Sequence, residues 1–250
     1  MVQVNELEAW CNGQLDPGSF SDYCPNGLQI EGTRPVGRLA TGVTASQALL
    51  DAALEWGADA ILVHHGYFWR GEPEPLTGMK GRRVRALMQH GVSLLAYHLP
   101  LDAHPVYGNN ARLGALLEFE DAGATEAGGG LLWRARLPEP VTADSLARRI
   151  EAALTRAPLH IACDRGGIAT VGWCTGAAQK FIDEAADLGL DAFISGEVSE
   201  STYHTALERK IHYYAAGHHA TERYGVQALG KAAARTHGLE HRYFDIPNPV

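Results

Sequence analysis

Asp51-Ala-Ala-Leu-Glu-Trp-Gly-Ala-Asp-Ala-Ile-Leu-Val-His-His65 joins two hydrophobic periodicities across a single glycine. Upstream, Leu49, Leu50, Ala53 and Leu54 fall at helical spacing behind Ser46, whose hydroxyl suits an N-cap. Gly57 is the residue on which such a helix stops, because glycine adopts the left-handed conformation without steric cost. Downstream, the apolar run 60–63 reads as a buried strand that ends on adjacent histidines, His64 and His65. A helix feeding a buried strand is the repeating unit of an α/β sheet.

Outward from this stretch the alternation continues. Residues 4–15 read as an amphipathic helix, and Pro25-Asn-Gly27 as a turn into a short strand. Residues 39–44 read as a strand, 66–78 as a Gly- and Pro-rich loop, 79–90 as a helix, 92–97 as a strand running into His98-Leu-Pro-Leu-Asp-Ala-His104, and 109–117 as a helix. The acidic, glycine-rich segment 118–130 is the best boundary, giving halves 1–122 and 131–250 with 123–130 as the linker. In the second half, strands are expected at 131–137, 160–163, 171–175, 191–195 and 211–216, with helices at 142–154 and 199–209 and a final helix running to about His237. Residues 243–246 suit an edge strand.

The halves resemble each other. Residues 51–60 match 183–192 at a constant offset of 132, with identity at 51/183, 53/185, 57/189, 59/191 and 60/192. On that offset His64-His65 falls on Gly196-Glu197. A duplicated β-α-β unit is the simplest account, although shared helix-stop chemistry also produces short matches of this kind. The fold class is therefore α/β, two duplicated units with mixed sheets flanked by helices.

The net charge of −8, with 17 Arg and only 4 Lys, leaves no broad cationic surface for a nucleic-acid backbone. The N-terminus lacks the basic and apolar regions of a signal peptide and no apolar run reaches membrane-span length, so the cytoplasm is expected. Cys11, Cys24, Cys163 and Cys174 form no Cys-x-x-Cys pair, which fits packed, reduced thiols.

Three strand ends carry one set of residue types: His64 and His65; His98 and Asp102; His218, His219 and Glu222. Functional groups in open α/β sheets gather beyond the carboxyl ends of strands. His218 and Glu222 stand four apart at the start of a helix, on one face; His219 is about 100° round and less suited to the same ion. Adjacent strand residues point to opposite faces, so His64 and His65 serve one place only if the backbone turns at Gly66 or if each holds its own ion. Two divalent ions bridged by Asp102 or Glu222 satisfy this, and the mixed donor set suits Zn, Mn, Fe or Ni equally. His98 reads either as an orienting group or as a strand-end residue. Glu197 reads either as a base toward an activated water or as a solvated helix-start carboxylate. Tyr67-Phe-Trp69 can stack a planar substrate or pack in the core, and Lys80, Arg82, Arg83 and Arg85 can hold an anion or form a solvated face. His104 has no assigned role.

These segments resemble the Nif-three-like family, often called GTP cyclohydrolase I type 2 homologues, and its short bacterial YbgI-type members most of all. The resemblance is carried by Tyr23-Cys-Pro-Asn-Gly-Leu-Gln-Ile-Glu-Gly32, Thr41-Gly-Val-Thr-Ala-Ser46, Val63-His-His-Gly-Tyr-Phe-Trp-Arg-Gly71, His98-Leu-Pro-Leu-Asp-Ala103, Ser195-Gly-Glu-Val-Ser-Glu200, Gly217-His-His-Ala-Thr-Glu-Arg223 and Asp245-Ile-Pro-Asn-Pro249. It implies two interlocked α/β domains, with the C-terminal tail taking part, and a toroidal hexamer. It also implies two metal ions per chain held by His64, His65, Asp102, His218 and Glu222. The cyclohydrolase label rests on analogy and specifies no pterin or guanine pocket.

The expected function is a metal-dependent hydrolase of a small substrate, with Glu197 or His98 carrying the proton. The alternatives are a non-catalytic metal-binding, regulatory or metal-chaperone toroid, and a ring that binds single-stranded nucleic acid, which the charge disfavours.

Overall fold

A computed structural model describes residues 1–250. The strands in chain order are β1 (Gly27–Ile30), β2 (Arg38–Thr44), β3 (Ala60–His65), β4 (Ser93–Ala96), β5 (Gly123–Ala124), β6 (Trp133–Val141), β7 (Leu159–Ile161), β8 (Ile168–Cys174), β9 (Ala192–Ser195), β10 (His212–Ala215) and β11 (Glu240–Tyr243). The helices are α1 (Val4–Leu15), α2 (Gln47–Trp56), α3 (Gly78–His90), α4 (Leu99–Ala103), α5 (Asn109–Leu116), α6 (Ala143–Leu154), α7 (Ile182–Asp187), α8 (Glu200–Glu208) and α9 (His218–His237). No helix is long and apolar enough to cross a membrane.

The chain forms two compact units: Met1–Leu101 with Gly225–Pro247, and Asp102–Tyr224 with Asn248–Val250. The first holds a five-stranded mixed sheet of order β1-β4-β3-β2-β11, parallel except for β1. Alternation along its strands sends Ala40, Ile61, Val63, Leu94 and Ala96 into a core with Leu49, Leu50 and Ala53 of α2 and Val84 and Leu87 of α3. On the opposite face α9 approaches closely: a Cβ on Gly230 would lie 2.5 Å from Thr41 Cγ2, so only glycine fits there. The Ser46 hydroxyl accepts the Leu49 N–H at 3.3 Å, and Gly57 closes α2 in the left-handed conformation, as the sequence indicates.

The second unit holds a six-stranded mixed sheet of order β5-β6-β8-β9-β10-β7. One face packs Trp133, Val171, Ala192, Ile194 and Tyr214 on Leu146, Ile150 and Leu154 of α6 and Leu113 of α5. The other packs Cys174, Phe193, Tyr213 and Ala215 on Ile182 and Ala185 of α7 and Ala206 of α8.

The 132-residue offset extends to the strand register. Leu39 to Gly42 pair with Ala60 to Val63, and the residues 132 further on, Val171 to Cys174, pair with Ala192 to Ser195. The third strands join alike, Ser93 opposite Ala60 and His212 opposite Ala192.

Local differences from the sequence reading have physical causes. Residues 99–103, read as part of a strand-end run, form the short helix α4; Pro100 sits in its first turn, where the missing N–H has no helical partner to lose. The edge strand lies at 240–243 instead of 243–246, because its pairing is set by β2, with Glu240 opposite Arg38.

Candidate metal centre

In the first unit, β3 ends on His64 and His65 while β4 leads through Tyr97 to His98. Their ligand atoms lie within 4.8 Å of one another. His64 is fully buried, and its Nδ1 donates to the Tyr97 carbonyl at 2.8 Å. A carbonyl can only accept, so the proton resides on Nδ1 and the lone pair on Nε2. His65 Nδ1 lies 3.2 Å from the Thr44 hydroxyl. His98 Nδ1 donates to Asp22 Oδ1 at 2.7 Å. Trp69 borders the group, its ring 5.9 Å from that of His65 and 5.0 Å from that of His98. Tyr67, by contrast, is core, with its hydroxyl donating to the Ala45 carbonyl at 2.8 Å. Arg82 and Arg85 are exposed along α3.

Asp22 is held from four sides. Its Oδ1 also accepts the Tyr23 N–H at 2.6 Å, and Oδ2 accepts the Asn26 amide at 2.8 Å and the Leu99 N–H, at the start of α4, at 2.9 Å. Burial pushes its carboxyl up, but the hydrogen bonds from His98 and Asn26, the His98 charge and the Tyr23 N–H together bring it down to about 2.

In the second unit the donors are mostly carboxylates. Asp102 and Glu222 are both buried, and their oxygens approach within 4.8 Å. Asp102 Oδ1 accepts from Asn109 Nδ2 at 2.8 Å and the Thr175 hydroxyl at 3.2 Å. Glu222 Oε2 lies 3.1 Å from His218 Nε2, the one-turn pair expected from their spacing, and His218 Nδ1 lies 2.6 Å from Glu197 Oε1. Burial draws the His218 pKa down, yet the hydrogen bonds and charges of Glu222 and Glu197 outweigh it and hold the imidazole at about 9. Positive charge is thus favoured between these two carboxylates. Gly176, at φ 69°, lies two residues beyond β8, and a Cβ there would overlap Glu222 Oε1.

The donors fit divalent metal. Three imidazoles crowd their nitrogens in one unit, and in the other Glu222 lies close to both Asp102 and His218, a borderline N/O set suited to first-row divalent ions. The Glu197–His218 contact has the form in which a carboxylate orients an imidazole whose other nitrogen binds a metal.

The five ligands expected from sequence, His64, His65, Asp102, His218 and Glu222, all lie in these two groups, with His98 in the first and Glu197 in the second. His104 stands apart: its Nδ1 accepts the Val106 and Tyr107 N–H groups at 3.1 and 2.9 Å and closes a turn. Sequence reasoning missed Asp22, Asn109 and Thr175. For Asp22 a signal existed, the Asp22/Asn26 pair four apart before Gly27, which reads as a turn until its partners are seen. Burial pushes the Cys11 and Cys24 thiols up to about 12, away from the reactive thiolate form.

The family model described as Duf34/NIF3 (NGG1p interacting factor 3) matches residues 2–249. The chain belongs to the Duf34/NIF3 family. A relative from Allochromatium vinosum named "GTP cyclohydrolase 1 type 2 homolog" is 54% identical over 250 residues, covering 100% of this chain and 98% of its own. A solved structure described as protein ybgI, of unknown function, superposes with a TM-score of 0.95 at 49% identity, over 100% of both chains. One from Thermus thermophilus superposes with a TM-score of 0.91 at 33% identity, again over 100% of both. Duf34/NIF3 membership accounts for the two mixed sheets.

Proposed function

We propose that this Duf34/NIF3 protein is a metal-dependent hydrolase acting in the cytoplasm on a small substrate, with two divalent ions per chain held by His64, His65, Asp102, His218 and Glu222. The observation that carries this reading is the grouping of His64, His65 and His98, with ligand atoms within 4.8 Å and the His64 tautomer set by the Tyr97 carbonyl. His64 and His65, with their nitrogens so close, suit a shared cation better than a packed core, and His98 stands beside them. When bound, such ions supply Lewis acidity that makes water acidic near neutral pH.

The chain's own residues do the rest. Asp102 and Glu222 bring the negative charge that offsets the ions, and Asn109 and Thr175 hold Asp102 in place. Glu197 orients His218 through Nδ1, and Glu197 or His98 carries the proton. Trp69 offers an aromatic wall for a planar group such as a cyclic amide or a nucleotide-like base. The same reading has the chain self-associate as a toroidal hexamer.

The test is a screen of metal-reconstituted protein against cyclic amides, nucleotides and phosphoesters, with Glu222→Ala as the blank. Turnover in the wild type that drops at least about a hundredfold in the variant supports a hydrolase. Equal rates in both, or bound metal with no turnover of any class, would leave the ions structural or cargo.

A further inference from the structure

Asp22 lies outside every group of residues assigned above to metal or proton chemistry, yet it is a closely engaged carboxylate beside His98. Its two oxygens accept four N–H donors: the His98 ring, the Tyr23 and Leu99 backbone and the Asn26 amide, all between 2.6 and 2.9 Å. Asn26 in turn accepts the His98 backbone N–H at 2.7 Å. The strand-to-helix corner on which His98 sits is therefore fastened at three points to the 22–26 turn.

Asp22, Cys24 and His98 also lie within 4.8 Å of one another as metal-ligand types. A second metal site there is disfavoured, because the acceptor positions of Asp22 are filled by protein N–H groups and one His98 nitrogen is spent on the carboxylate. The arrangement is instead that of a carboxylate fixing an imidazole tautomer.

We infer that Asp22 is a positioning residue: it holds the His98 proton on Nδ1 and fixes the ring so that the Nε2 lone pair is the atom available to the His64–His65 group. This deepens the reading of His98 as a proton carrier and rests on it. The inverse tautomer would present an N–H where an acceptor is needed. Of the two candidate proton carriers, it is His98 that then has a free accepting nitrogen defined by its surroundings, while Glu197 is engaged with His218. Asp22 touches no reacting atom in this scheme and acts through His98.

The test reads the tautomer directly, on full-length protein labelled with 15N-histidine, treated with EDTA and held at mildly alkaline pH. Long-range 1H–15N spectra are recorded with His98→Gln as the assignment blank. The expected result is His98 in the Nδ1–H form by about tenfold or more in the wild type, since a hydrogen bond to a charged acceptor is worth that much. In Asp22→Asn that preference collapses, while Asn26→Ala, which leaves the carboxylate in place, retains it. A wild-type His98 in the Nε2–H form overturns the proposal, as does an unchanged tautomer in Asp22→Asn. If Asp22→Asn does not fold, the wild-type and Asn26→Ala spectra decide. Because the spectra are taken without metal or substrate, a protein that binds no metal but shows the expected tautomers would sink the hydrolase reading and leave the role of Asp22 standing.

Discussion

In the first unit Asp59 accepts the Gly37 and Arg38 N–H groups, both at 2.9 Å. In the second, Asp191 accepts those of Ala169 and Thr170, the residues 132 further on, at 2.9 and 2.8 Å. The glycine two residues before each aspartate is left-handed, Gly57 at φ 78° and Gly189 at φ 71°. The two copies thus share the chemistry that stops the helix and starts the strand. They part at the far end of the strands. Where the first has Thr44 behind His65, the second has Gly176 and Glu197 at the matching numbers, with Glu222 packed where a larger residue would stand. The same strand pairing ends on imidazoles in one unit and meets a carboxylate in the other.

The largest effect expected from breaking this contrast is at Gly176. Gly176→Ala forces a Cβ into Glu222 and a left-handed φ on alanine, for a cost of about 3 kcal/mol in urea unfolding. Metal content should fall with it. Thr44→Ala, at the matching position, should cost under about 1 kcal/mol, because it removes one part-buried hydroxyl contact. A Gly176→Ala protein as stable as wild type would mean the copies do not differ there in the way described.

The shared aspartates come next. Asp191→Ala strips acceptors from two backbone N–H groups and the Thr170 hydroxyl, and should cost about 2 kcal/mol. The pH dependence has a definite sign. Burial pushes the Asp191 carboxyl up, but the Ala169 and Thr170 N–H groups, the Thr170 hydroxyl and Arg165 together hold it below the ordinary carboxylate value. Its stabilisation is therefore present above the unfolded pKa, near pH 4, and is lost as pH falls through the lower folded value. The gap between wild type and Asp191→Ala should accordingly narrow in urea titrations below about pH 4. The smallest effect is at the helix stops, where Gly57→Ala and Gly189→Ala should each cost about 1 kcal/mol. Gly57→Ala should be the costlier, since its Cβ would meet Arg38 Nη1 at 3.0 Å while that of Gly189 meets nothing.

The 132-residue offset was legible because helix stop, strand entry and register depend on neighbours in the chain. The histidine and carboxylate candidates could be picked out for the same reason, each lying at a strand end or one helical turn from another. Helix α4 was not, because its first N–H is capped by Asp22, 77 residues earlier. Asp22 reads in sequence as a turn residue, and only the fold brings His98 to it. Thr175 and Asn109 are ordinary helix- and strand-end residues until Asp102 is placed beside them. Contacts of that kind leave no periodicity to read.

The proposed metal site draws on imidazoles of one unit and carboxylates of the other. Elemental analysis of protein purified without added metal, wild type beside Glu222→Ala, tests it most directly. About two divalent ions per chain are expected in the wild type and less than half that in the variant. Fewer than one per chain in the wild type, with the same amount in Glu222→Ala, would contradict it.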